Sequence, residues 1–162
     1  MTKKIVGIMG PGSKATMKDL KNAYNIGKFC AENNWVTLTG GRNKGVMNEA
    51  LKGAKKGNGL TIGILPTDEK NKFSKFLDIA ICTNMRSGRN YINVLSSDIV
   101  VACGIDPGTS SEISLAIKPK KNVILVGLNK EAKDFYKKLA PKQVYCVKNY
   151  IEANKILAEK LG

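Results

Sequence analysis

DIVVACGIDPGTSSE, residues 98 to 112, contains a complete strand–turn–helix transition. Residues 98–103 form a short, almost unbroken apolar run, the signature of a strand buried on both faces. Gly104, Pro107 and Gly108 punctuate the turn. From Thr109 the apolar residues recur at helical spacing as far as Ile117. Thr109-Ser-Ser-Glu112 has the spacing of a capping box, in which the hydroxyl and the carboxylate satisfy each other's backbone N–H groups. The same stretch suits a second role. A glycine turn feeding a helix start directs free N–H groups at an anion, with Glu112 in the first turn beside it.

Outward from this unit the alternation repeats. Strands are expected at 4–9, 35–39, 60–65, 78–82, 98–103, 122–126 and 143–147. Helices are expected at 17–33, 45–56, 89–97, 109–117, 131–139 and 150–161. Residues 67–77 are polar and lysine-rich, and read as a mobile loop or a short helix. Repeated strand–helix–strand units imply an α/β fold: a Rossmann-like, doubly wound, mostly parallel sheet of about seven strands with helices on both faces. The 162 residues suit a single domain spanning 1–162.

Composition narrows the function. No apolar run has the length of a membrane span, and the N-terminus enters a strand-like run with no sign of a signal peptide. The chain has no histidine, and Cys30, Cys82, Cys103 and Cys146 are widely separated without a CxxC pair. A metal site is therefore not expected, and reduced thiols in a cytoplasmic protein are. Net charge is +14, but the excess is mostly lysine spread over every helix, and aromatics are only 6%. Nucleic-acid binding is thus an alternative rather than the leading reading.

The arginines are more selective. There are three, Arg42, Arg86 and Arg89, in two short segments. Arginine grips phosphate with a planar fork, whereas lysine acts as a point charge. In a doubly wound sheet the ligand lies beyond the carboxyl ends of the strands. The loops there read Gly10-Pro-Gly-Ser13, Gly40-Gly-Arg-Asn-Lys-Gly45, Thr83-Asn-Met-Arg-Ser-Gly-Arg89 and Gly104 to Glu112. A nucleotide or sugar-phosphate ligand follows, with Gly10, Gly12, Ser13, Gly40, Gly41, Arg42, Gly45, Met85, Gly108, Thr109 and Ser110 as candidate binding residues. Ser13 is also a candidate cap for the first helix. The first loop is not GxGxxG, no acidic residue ends the second strand, and no GxxxxGK[ST] is present. A mononucleotide fits these loops better than a dinucleotide.

Two blocks carry a family likeness. GGRNKGVMNEALKGAKKGNGLTIGILP, residues 40 to 66, resembles the glycine-rich block ending in Gly-(Leu/Val)-Met, and the following strand ending in proline, of the LOG-like proteins. RNYINVLSSDIVVACGIDPGTSSE, residues 89 to 112, is similar to that family's segment from its arginine to PGGxGTxxE. The group includes cytokinin-activating phosphoribohydrolases, proteins mislabelled lysine decarboxylases and molybdenum-cofactor carrier proteins, and more distantly resembles the DNA-processing protein A fold.

The resemblance implies that Arg89 and Glu112 are catalytic residues and that Gly108 and Thr109 hold phosphate. It further implies a homodimer, or higher homo-oligomer, packed through helices near residues 90 to 117. The implied reaction is hydrolysis of a nucleoside 5′-monophosphate to free base and ribose 5-phosphate, with no cofactor. Glu112 would stabilise the oxocarbenium-like sugar or orient water, and Arg89 would clamp phosphate or assist the leaving base. Gly104-Ile105-Asp106 stand where the family has Pro-Gly-Gly, so side chains, one of them anionic, replace bare backbone. That departure favours an alternative: a non-catalytic carrier or sensor of a nucleotide or molybdenum cofactor. Lysine decarboxylation is set aside, because no motif singles out a lysine for pyridoxal phosphate.

Overall fold

The computed structural model describes residues 2–69 and 72–162. The strands are β1 (Ile5–Met9), β2 (Val36–Thr39), β3 (Thr61–Leu65), β4 (Ile79–Cys82), β5 (Ile99–Cys103), β6 (Asn122–Val126) and β7 (Val144–Val147). The helices are α1 (Met17–Glu32), α2 (Gly45–Lys56), α3 (Arg89–Ser96), α4 (Pro107–Ile117), α5 (Lys130–Leu139) and α6 (Tyr150–Leu161). All strand pairs are parallel, in the order β4-β3-β2-β1-β5-β6-β7.

The chain builds outward from β1 to β4, then returns through α3 to place β5 on the other side of β1. The loops after β1 and β5 therefore diverge from adjacent strands, which opens the crevice where such sheets bind ligands. Side chains of the central strands alternate between two cores. Val6, Ile8, Ile99, Val101 and Cys103 face α1, α2 and α6, and Met9, Val100 and Ala102 face α3, α4 and α5. A strand apolar at every position is thus buried on both faces, as the unbroken runs require.

Expectations at two helix starts are corrected. Helix α4 starts at Pro107, not Thr109, because Asp106 is the N-cap and its carboxylate accepts from the Thr109 N–H. Proline at the first helical position is favourable there, since its absent N–H would have no intrahelical partner. The expected Thr109–Glu112 capping box does not form. Ser13 does not cap α1 either: Thr16 does, in a capping box with Asp19. The 67–77 segment holds no helix among its described residues; an antiparallel bridge ties Phe73 to Arg42. No helix among the described residues is long and apolar enough to cross a membrane.

Candidate functional site

At the carboxyl edge of β1, β2 and β5 lies a cavity of about 270 Å³. Of the residues singled out above, Gly10, Gly12, Ser13, Gly40, Arg42, Arg89, Gly108, Thr109 and Glu112 line it. The loops that bring them together are built on glycine for steric reasons. A Cβ on Gly40 would collide with the Arg89 guanidinium, so the arginine lies flat against bare backbone. Gly45 starts α2 at φ +53, and a Cβ there would strike the Pro11 and Gly12 carbonyls.

Arg89 is the unusual group. It is 7% exposed, and no hydrogen bond or ion pair within 4 Å is made by its guanidinium among the described residues. Its Nε is buried without a partner, and a buried donor left in that state normally carries a substantial desolvation penalty. Burial pulls its pKa below the ordinary arginine value, Glu112 opposes that, and Arg42 adds to it. A fixed, desolvated cation with free donors in a cavity is a preorganised receptor for an anion.

Glu112 lies in the same cavity, 7% exposed, with Oε1 accepting from Asn93 Nδ2 at 3.0 Å. Burial raises its carboxyl to about 7, against the lowering effects of the Asn93 hydrogen bond and the Arg89 charge; Asp106 raises it further. Arg89 and Asn93 stand one helical turn apart on α3, and both are buried, Asn93 against Glu112 of α4. Asn93 Oδ1 is likewise buried without a partner.

Gly41, Gly45, Met85 and Ser110 do not line this cavity. Gly41, at φ +75, packs behind it on Gly63 and Leu65. Met85 is half exposed on the loop after β4. The Ser110 hydroxyl turns away to Tyr136 Oη at 2.6 Å. Lys44 and Asn90, not singled out from the sequence, also line the cavity, as does Asp106, the anionic departure from the family pattern. Asn93 could have been found, since it follows Arg89 by one turn and shares its face.

Two neighbouring cavities extend the site. One, of about 420 Å³, shares Arg42 and Lys44 and is walled by Leu65 and Pro66. The other, of about 510 Å³, shares Arg42, Arg89 and Gly108 and adds Arg86. All three arginines therefore line these adjoining cavities, and Arg42 borders each of the three. Among the described residues no group of three or more cysteine, aspartate or glutamate side chains is placed to hold a metal ion.

The molybdenum cofactor binding protein of the phototrophic bacterium Rippkaea orientalis is 48% identical, with a TM-score of 0.94 over 98% of each chain. The molybdenum cofactor carrier protein of Chlamydomonas reinhardtii is 42% identical, with a TM-score of 0.94 over 99% of each chain. DNA processing protein A from Streptococcus pneumoniae shares the fold alone: 16% identity and a TM-score of 0.73, over 99% of this chain and 62% of that one. The SLOG cluster4 family model matches residues 3–154. With nearly its whole length covered by that model, this chain belongs to the SLOG cluster4 family.

Proposed function

We propose that this protein binds and carries a phosphorylated, nucleotide-like ligand of the molybdenum-cofactor type, without hydrolysing it. The observation that carries the reading is Arg89, a buried guanidinium with an unpaired Nε that lines a glycine-walled cavity. The phosphate ester of such a ligand takes the Arg89 fork, with Lys44 and Arg42 adding charge from the loop after β2. The ring system extends toward the Leu65 and Pro66 wall, where apolar surface is available. Glu112, held by Asn93 behind it, faces hydrogen-bonding groups of the ligand. Likeness over the full length to proteins described as binding or carrying molybdenum cofactor supports a carrier over a hydrolase. We place two copies together through α3 and α4, a packing supported by the exposed Tyr91 and Leu95 on α3. The test is to produce the protein in a host that makes the cofactor, purify it, and measure bound pterin by fluorescence after oxidation. Pterin retained by the parent and lost in Arg89→Lys supports the reading.

One observation favours a second reading, hydrolysis of a nucleoside 5′-monophosphate. Glu112 holds a proton near neutral pH in the same cavity as Arg89, which suits a group that protonates a leaving base. Incubation with AMP or CMP and chromatography of the free base decides between the two. Base release that Glu112→Gln abolishes establishes the hydrolase.

A further inference from the structure

Asp106 stands at the mouth of α4 with its backbone extended (φ −144, ψ 178). One carboxylate oxygen, Oδ1, accepts from both the Thr109 N–H and the Thr109 hydroxyl, each at 2.8 Å. These are donors that an anion would use at a helix start. The chain has filled that seat with its own carboxylate, and Asp106 still borders the cavity. The cavity lining therefore carries both charges. Arg42, Lys44 and Arg89 supply cations, and Asp106 and Glu112 supply carboxyls. Among the described residues lining it, the one buried donor left open is Arg89 Nε.

We propose that Asp106 is a specificity-determining residue: an internal anion that occupies the α4 seat, excludes a ligand's phosphate from it, and directs that phosphate to Arg89 and the loops after β1 and β2. The inference rests on the cleft being the ligand site proposed above. It also defines what the α4 side accepts. Two carboxyls there take hydrogen bonds from neutral donors, such as ring amide or amino N–H groups or sugar hydroxyls, and repel a second phosphate. A ligand with one phosphate at one end and N–H or O–H donors at the other fits; a ligand with phosphate at both ends does not.

The test uses inorganic phosphate as the probe, with calorimetry at low salt and about pH 8, where long-range charge effects are least screened. Asp106→Gly empties the seat, and glycine is well tolerated at an N-cap. Asp106→Asn keeps a capping oxygen and removes only the charge, so it serves if the glycine variant folds poorly. Opening charge-assisted donors is expected to raise phosphate affinity about tenfold or more in Asp106→Gly, and by a smaller factor in Asp106→Asn. Affinity equal to or below the parent's in both folded variants, including no detectable binding in any of the three proteins, overturns the proposal. The two readings fail separately. Bound pterin in the parent without a phosphate gain in the variants removes this inference and leaves the carrier. A phosphate gain in the variants with no pterin on the parent does the reverse.

Discussion

Replacing Glu112 with glutamine is expected to stabilise the protein in mildly alkaline solution and to leave it nearly unchanged in acid. The carboxyl rises from 4.5 to about 7 on folding, chiefly because burial disfavours its charged form. Below pH 4.5 it is protonated in both the folded and unfolded chain, and its protonation contributes no difference. As pH climbs from there toward 7, the unfolded chain ionises freely while the folded protein holds its proton. Stability is lost across that window and levels off above it. Each pKa unit corresponds to about 1.4 kcal/mol, so the loss is about 3 kcal/mol. Glutamine is neutral throughout, nearly isosteric, and keeps an oxygen for the Asn93 hydrogen bond. Urea unfolding of parent and variant at about pH 4 and pH 8 measures the difference directly, and in a chain of this size the alkaline gap corresponds to a melting shift of about 6–12 °C. A gap of equal size at both pH values, or a variant less stable than the parent at the higher pH, refutes the assignment of Glu112 as a buried, desolvated acid.

Arg89→Lys should weaken binding of a phosphorylated ligand by about tenfold to a hundredfold in calorimetry, because a point charge cannot reproduce a charge-assisted fork. Gly40→Ala should do the same without touching a charge, since the added methyl displaces the Arg89 guanidinium; unaltered binding in this variant would show that the arginine does not need its seat against Gly40. Thr16→Ala should lower unfolding stability by about 1 kcal/mol while Ser13→Ala does not, the reverse of what a Ser13 cap predicts. Asn93→Ala removes a hydrogen bond that favours the Glu112 anion, so the carboxyl should titrate higher still, which carbon NMR of the labelled side chain reads.

The strands were legible because a parallel sheet covered on both faces needs apolar residues at successive positions, and runs such as Ile99–Cys103 have few other uses. The cleft was legible because glycine and arginine collect at the ends of those runs. Helix starts were harder. Asp106-Pro-Gly-Thr109 and Thr109-Ser-Ser-Glu112 both satisfy capping patterns, and the proline at the first helical position decides for the earlier one. Ser13 lost the cap of α1 to Thr16 for a similar reason: a better partner, Asp19, lies three residues after Thr16. Met85 and Ser110 were placed in the site by loop membership alone, and side-chain direction took them out of it. The packing of Arg89 against Gly40 was beyond reach, because it joins residues far apart in the sequence.

The most direct test of the central claim is the stoichiometry of pterin bound to protein purified from a cofactor-producing host, measured beside base release from AMP on the same preparation. The account predicts bound pterin approaching one per chain, its loss in Arg89→Lys, and no free base. Sustained base release with no pterin bound would contradict it.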